Sequence, residues 1–356
     1  MTAPATDVFS LAQHEREAAL LPRLVELTGH HRDSCVAYDR ILGALGIERD
    51  ANFASVAAVP WLPVGLFKHQ VLKSIPDEEV FKVLTSSGTT GAGVSRIFLD
   101  RAAAGDQARA LSQTLRTVLG AKRLPMLLVD SEAIVKGRGP MSARGAGLLG
   151  MATFGRDHAY VLDNAEQPSP EAVRSFLAGH GHEPFLIFGF TFMVWTYLYE
   201  LAATHALDLR NGILIHSGGW KKLADRAVDN AEFRRRFAQD CGLTRIHNFY
   251  GMVEQIGTVF VEGPSGDSLY CPDFADVVIR DPETWAEQPP GRPGLIEVVS
   301  TLPRSYPGHV LLTEDLGVVH GIDDGDWPGK RFSVLGRLPR AEARGCSDTF
   351  TAAAAR

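Results

Sequence analysis

Between residues 82 and 250 the chain alternates short apolar runs with longer amphipathic stretches, and this rhythm constrains its fold more than any other feature. KVLTSS precedes a helical pattern over 101–119, PMLLVD one over 142–153, HAYVLD one over 169–179, FLIFGF one over 191–206 and ILIHS one over 220–240, before RIHNFYG closes the series. Strands joined by helices pair one crossover apart, so the pattern predicts a mainly parallel α/β sheet with flanking helices. After Tyr250 the texture shifts to short β-like runs (TVFVEG, ADVVIR, LIEVVST, HVLLTE, GVVHGI, RFSVLGR) punctuated by Gly, Pro and Asp. These predict an antiparallel or mixed β part packed on that core. Ahead of the rhythm, apolar residues at helical spacing (Leu11, Ala18, Leu21, Leu24, then Val36, Ile41, Leu42, Leu45) predict two helices divided at Gly29, and Pro60 and Pro63 force an extended, turning path beyond them. The expected organisation is a helical segment at 1–80 packed on the core, an α/β core at 81–337 whose β part starts near 257, and a short mobile tail at 338–356 carrying Cys346.

Charge and cysteine usage exclude several functions. The formal net charge is −6 and the pI about 6.1, so no general basic field exists to hold a polyanion, and nucleic acid is not expected as a partner. Cys35, Cys241, Cys271 and Cys346 lie far apart without a CxxC pair, which argues against a disulfide framework and a cysteine zinc site. The N-terminus has no basic stretch followed by an apolar one, and the uncharged run 184–199 is short for a bilayer and contains Gly189, Thr191 and Thr196. A cytoplasmic protein without a membrane span is expected.

The segment richest in chemistry is VLTSSGTTGAGVSR at 83–96. There an apolar strand empties into Thr85, Ser86, Ser87, Gly88, Thr89, Thr90 and Gly91, which can present several backbone N–H groups and five hydroxyls to one anion while the glycines allow close approach. This reads as a phosphate cradle. It is not a Walker A loop, since no GxxxxGK[ST] occurs there.

TSSGTTG resembles the phosphate loop of the carboxylate-adenylating superfamily (acyl-CoA synthetases, non-ribosomal adenylation domains, luciferases). His216-Ser217-Gly218-Gly219-Trp220 ends one predicted strand, and Asn248-Phe249-Tyr250-Gly251-Met252-Val253-Glu254, similar to the superfamily's aromatic-Gly-x-x-Glu signature, ends another. Thr313-Glu314-Asp315-Leu316-Gly317 resembles its ribose-binding Thr-Gly-Asp, and Gly336-Arg337 its hinge Gly-Arg. The matches run in order over 85–337 and imply ATP and Mg²⁺ as cofactors. Under this resemblance Thr89 serves catalysis in the loop. Gly218, Gly219 and Trp220 border a flat base together with Asn248, Gly251 and Met252, and Tyr250 stacks on it. Glu254 holds Mg²⁺ as a hard oxygen ligand, Asp315 accepts the ribose hydroxyls, and Arg337 reaches the ribose or α-phosphate. His216 and the aromatic run FGFTFMVW border the carboxylate pocket. Two departures stand out. Gly93-Val94-Ser95-Arg96 replaces the lysine that normally closes the loop, and only a short stretch follows Arg337 where the superfamily has a mobile C-terminal domain with a catalytic lysine. The expected fold is therefore the superfamily's N-terminal-type core without that domain; Arg96 is a candidate substitute for the loop lysine, and Lys221 and Lys222 are candidates for the catalytic one.

A narrower likeness fits the truncation. LPVGLFK at 62–68, SARGAG at 142–147, FGFTF at 188–192, HSGGWKK at 216–222, FYGMVEQIG at 249–257 and EARGCS at 342–347 resemble the LuxE-type acyl-protein synthetases of aldehyde-forming systems. That likeness implies adenylation of a carboxylic acid, acyl transfer to Cys346, and delivery to a LuxC-like acyl reductase or another thiol acceptor protein. Arg340 and Arg344 near Cys346 would favour its thiolate, whereas Cys35, Cys241 and Cys271 read as structural. Two other readings stay open: an acyl-CoA or acyl-carrier-protein ligase in which Cys346 is idle, and a non-catalytic nucleotide-binding regulator.

Overall fold

The computed structural model describes residues 7–86, 94–136, 143–220 and 227–338. Its strands are β1 (Leu62–Pro63), β2 (Lys82–Thr85), β3 (Arg96–Leu99), β4 (Leu124–Ser131), β5 (Gly155–Leu162), β6 (Phe185–Phe190), β7 (Gly212–Ser217), β8 (Arg245–Tyr250), β9 (Phe260–Glu262), β10 (Leu269–Tyr270), β11 (Ala275–Arg280), β12 (Gly294–Ser300), β13 (Val310–Ile322) and β14 (Lys330–Arg337). Among the described residues all but β2 and β3 join one sheet, in the order β11-β12-β13-β14-β10-β9-β8-β7-β6-β4-β5, with β1 added beside β13.

The β8-β7-β6-β4-β5 half is parallel, as the alternation predicts. Its inner strands β4, β6 and β7 are buried on both faces, which is why they read as continuous apolar runs such as PMLLVD and FLIFGF. The crossover helices start and stop where the sequence supplies caps. Asp100 accepts from the Ala103 amide at 2.7 Å to open Arg101–Leu119, and Asp229 accepts from Glu232 at 2.7 Å to open Asn230–Cys241. Gly242, at φ 71°, closes the latter as a residue with a side chain rarely does. That helix begins well after the expected 220; residues 221–226, with Lys221 and Lys222, lie outside the described residues.

The antiparallel β part expected after Tyr250 is present, and it continues the same sheet edge to edge, through pairing of Phe249 with Val261 and Tyr250 with Phe260. Two expectations needed revision. The KVLTSS run is a strand, but it pairs only with β3, in a separate antiparallel hairpin. The first helix, Gln13–Ser34, runs through Pro22 and Gly29 and yields to Val36–Ala44 only at Cys35, whose backbone is extended. Leu20, Leu24, Leu27, Thr28 and His31 are buried along one stripe on both sides of Gly29, and that packing outweighs the roughly 1 kcal/mol propensity penalty of a helical glycine.

Polar contacts also fix this helix to the sheet. His31 binds Ser74 Oγ (2.7 Å) and the Pro303 carbonyl (3.0 Å), while His309 Nε2 meets Thr28 Oγ1 at 3.0 Å, and the two imidazoles lie 5.0 Å apart. Burial holds His31 well below its ordinary pKa and pushes His309 down to about 3. A histidine depressed on folding contributes stability above its unfolded pKa near 6.5 and loses it as pH falls toward the folded value. We therefore predict that the stability advantage of the parent over His309→Gln shrinks below pH 6.5, by up to about 1.4 kcal/mol per pH unit. Urea unfolding at pH 7.5 and pH 5 measures it, and an advantage independent of pH refutes it.

Candidate active site

The parallel strands end on one edge of the sheet, and the strand order reverses between β4 and β6, the arrangement that opens a ligand crevice beyond strand C-termini. Side by side on that edge, β7 ends in His216, Ser217, Gly218 and Gly219, and β8 ends in Asn248, Phe249, Tyr250 and Gly251. Gly218 takes φ 85°, which a side chain would strain, and among the described residues no atom beyond the adjacent ones lies within 4 Å of a Cβ built at Gly219.

Tyr250 is the centre of the polar geometry. Its hydroxyl donates to Asp315 Oδ2 at 2.7 Å, and burial beside that carboxylate raises its pKa well above the ordinary value, so it remains a donor. Asp315 faces Arg337 across the β13–β14 pair, with Arg337 Nε 3.9 Å from Asp315 Oδ1 and its Nη2 2.8 Å from Glu314 Oε2. Thr313 Oγ1 donates to the Ile296 carbonyl (2.7 Å) and accepts from the Asp315 amide (3.1 Å), which sets the backbone of the Thr-Glu-Asp run. Tyr250, Asp315 and Arg337, far apart in sequence, thus form one cluster. Met252 packs partly buried beside it.

Glu254 sits in the 3₁₀ turn Val253–Gln255, is 7% exposed, and makes no hydrogen bond or ion pair with a described residue. The turn is pinned by Gln255, whose Nε2 donates to the carbonyls of Val298 (3.1 Å) and Gly308 (3.0 Å). A buried carboxylate without a partner among the described residues has the chemistry to hold a hard cation such as Mg²⁺. Among the described residues no group of three metal-binding side chains occurs.

Thr85 ends β2 opposite Arg96, and Ser86 closes the hairpin: its amide donates to the Ser95 carbonyl (3.2 Å) and its Oγ accepts from the Ser95 amide (3.0 Å). Leu84, Ile97 and Leu99 at the hairpin base share an apolar cluster with Tyr250, Met252 and Val253. Ser87, Gly88, Thr89, Thr90, Gly91 and Cys346 lie outside the described residues.

His216 is buried against Phe233, binds Thr191 Oγ1 through Nδ1 at 2.9 Å, and is pushed down to about 3 by burial. It is a neutral ring near pH 7, which suits lining and orientation rather than proton transfer. Its Nε2 and Asn248 Oδ1, from paired positions on β7 and β8, are both buried without a hydrogen-bond partner among the described residues. Trp220 stands edge-on to Trp195 at 6.0 Å, and Trp195 stacks on Tyr199 at 4.4 Å, so its ring belongs to an aromatic wall on the His216 side. A π-helical turn, Val194–Tyr199, presents these aromatics. Sequence reasoning missed the Asp130–Arg144 pair at the end of β4 (2.7 and 2.6 Å), with Asp130 wholly buried. The arginine of SARGAG was the available signal.

The acyl-protein synthetase (LuxE) family profile matches residues 5–354. Two long-chain-fatty-acid–luciferin-component ligases are similar: that of Aliivibrio fischeri is 22% identical over 83% of this chain and 79% of its own, and that of Vibrio harveyi 24% identical over 91% and 85%. Among solved structures, an open conformation of 2-hydroxyisobutyryl-CoA ligase with 2-HIB-AMP and CoA gives a TM-score of 0.69 at 18% identity, covering 96% of this chain and 75% of that one. ATP-bound MatB of Rhodopseudomonas palustris gives 0.50 at 15%, covering 74% and 49%. The fold is that of the adenylate-forming ligases. Within that class the chain belongs to the LuxE acyl-protein synthetase family, and is an ATP-dependent, AMP-forming enzyme that activates a carboxylic acid.

Because the Tyr250 hydroxyl is the only described donor bonded to Asp315 Oδ2, Tyr250→Phe should cost about 1.5 kcal/mol of stability, typical of a hydrogen bond to a charged group. Chemical denaturation measures this, and an unchanged midpoint would show the bond contributes nothing.

Proposed function

We propose that the cleft beyond β7 and β8 binds ATP, adenylates a carboxylic acid, and passes the acyl group to Cys346 for delivery to a partner acyl reductase. The observation that carries this reading is the meeting of Tyr250, Asp315 and Arg337 beside the backbone of Gly218 and Gly219. A ring, a carboxylate and a guanidinium in that order match a base, a ribose and a phosphate. Glu254 would hold Mg²⁺, whose chemistry is to neutralise charge on the polyphosphate. Thr85, Ser86 and the residues of the loop through Gly91 would donate to the phosphates, Thr89 and Thr90 to the departing pyrophosphate.

The carboxylate oxygen attacks the α-phosphorus as the bond to pyrophosphate breaks, giving acyl-AMP. A Cys346 thiolate then attacks the acyl carbon and expels AMP. Of the four cysteines, Cys35, Cys241 and Cys271 are buried free thiols, and burial pushes Cys241 up to about 12 and Cys271 higher still. A buried, protonated thiol is a poor nucleophile, which leaves Cys346 as the chemically reasonable acceptor. The names of the two curated relatives make long-chain fatty acids the first substrates to test. Among the described residues no helix is long and apolar enough to cross a membrane.

Incubation with ATP, Mg²⁺ and the right acid should leave an acyl adduct that hydroxylamine releases. Cys346→Ser should abolish the adduct yet keep carboxylate-dependent ATP–pyrophosphate exchange, because adenylation precedes thiol attack. A thioester persisting in Cys346→Ser refutes the acceptor, and fast acyl-CoA formation by that variant would identify a CoA ligase instead.

The activation half is tested separately. Thr89→Ala with Thr90→Ala should slow exchange by about 100-fold or more, the loss typical of removing donors aimed at developing charge. Glu254→Gln should raise the Mg²⁺ concentration needed for half-maximal exchange. Parental exchange kinetics and Mg²⁺ dependence in both variants would place the phosphate site elsewhere.

A further inference from the structure

The site lacks the lysine that ordinarily closes the phosphate loop; Arg96, which stands there, is exposed at the start of β3, and the lysines supply the other candidate cations. The sequence holds eight: Lys68, Lys73, Lys82, Lys122, Lys136, Lys221, Lys222 and Lys330. Lys73 is paired with Asp77, Lys136 with Glu132 at 2.8 Å, and Lys330 is buried against Asp276 at 3.1 Å. Lys122 precedes β4, at the opposite end of the strands from the cleft, and Lys82 is exposed at the start of β2. Lys68 differs from all of these. It is half-buried and makes no hydrogen bond or ion pair with a described residue.

Its position follows from the LPVGLFK run. β1 pairs in parallel with β13, Leu62 with Leu311 and Pro63 with Leu312, so the chain enters the 3₁₀ turn Val64–Lys68 one residue short of Thr313-Glu314-Asp315. Gly65 faces Glu314: a Cβ built there would lie 3.8 Å from Glu314 Oε1. Phe67, 1% exposed, meets the ring of Tyr306 edge-on at 6.0 Å, and the neighbouring Gly308 would bring a Cβ to 2.8 Å of the Glu254 carbonyl. The turn also packs on β3, the return strand of the phosphate-loop hairpin. The turn that Lys68 ends therefore lies beside Glu314 and the return strand of the hairpin, and through Phe67 and Tyr306 near the Glu254 backbone, all parts of the proposed nucleotide cleft. A lysine whose stem is partly covered and whose ammonium has no described counter-charge is available to an anion, and a polyphosphate is the anion this cleft would receive.

We propose that Lys68 is the catalytic cation for the β- and γ-phosphates, stabilising the charge of the departing pyrophosphate in place of the missing loop lysine. The proposal rests on the reading of the cleft as an ATP site. The decisive probe is ATP carrying a lysine-reactive acyl phosphate on its γ-phosphate, used on the full chain with Mg²⁺ and read by peptide mass spectrometry. Labelling of Lys68 that excess ATP suppresses is the expected result. ATP-suppressible labelling of Lys221, Lys222 or Lys82 instead overturns the proposal while upholding the ATP site. Absence of any ATP-suppressible label, with no ATP binding by calorimetry, overturns both. Kinetics give a second arm. Lys68→Met keeps the aliphatic stem and should lower kcat for pyrophosphate exchange by about 100-fold with a smaller change in KM for ATP, and Lys68→Arg should recover part of the loss. Parental exchange in Lys68→Met, with circular dichroism unchanged, overturns the assignment.

Discussion

β8 pairs in parallel with β7 on one side and antiparallel with β9 on the other, and the cleft depends on that change of direction within a single strand. A purely parallel sheet would bring only its strand C-termini to the ligand edge. The change of sense lets the chain return through β10 and β14, so that β13 and β14 carry Asp315 and Arg337 to within reach of the Tyr250 hydroxyl. Under the proposed function, the base side of the cleft is thus made of the loops after the parallel strands and the ribose side of antiparallel strands. Tyr250 belongs to both. Its ring packs with Phe260 and Phe332 at 6.1 and 6.5 Å, and its hydroxyl reaches Asp315.

The N-terminal helices are part of this construction rather than an appendage. Gln13 donates to Asp276 Oδ2 at 2.8 Å beside Lys330, which also donates to the Val277 carbonyl, and wholly buried Arg16 reaches the Pro328 carbonyl at 3.2 Å. Each of these charges is tolerable only while its partners stay in place, because an unpaired buried ion costs several kcal/mol. Such contacts fix geometry more than they add stability. They hold the segment whose continuation, through β1, becomes the turn bearing Phe67 and Lys68.

The parallel half was legible because strands buried on both faces must be apolar throughout, and runs such as FLIFGF have few alternatives. The meeting of the residues that end β7 and β8 was legible for a related reason: parallel strands end on one edge, so residues after successive apolar runs lie side by side there. What the chain concealed depended on contacts distant in sequence. Nothing near Gly29 announces that Leu24 and His31 anchor the helix on both sides of it. The separation of the β2–β3 hairpin from the main sheet is equally silent, since pairing partners leave no local mark. His216 looked like a pocket residue beside Gly218; the buried Thr191 contact and the packed Phe233 make it a neutral wall.

The balance of charge beyond β8 bears on what can bind there. Glu254, Glu314 and Asp315 supply three carboxylates, and Arg337 is shared between the last two. Arg337 is 62% exposed and Glu314 42%, so water screens that pair, whereas Glu254 is buried and keeps its full field. A bare polyphosphate would approach this edge against repulsion. Under the proposed function, the same anion paired with a divalent ion would arrive with most of its charge neutralised, and Glu254 would complete the ion's shell. Backbone amides and hydroxyls of a Ser/Thr/Gly loop would then solvate part of the remaining charge and leave the rest to Lys68. A cleft built this way would favour the metal-bound nucleotide over the free one, because its carboxylates repel the bare polyphosphate.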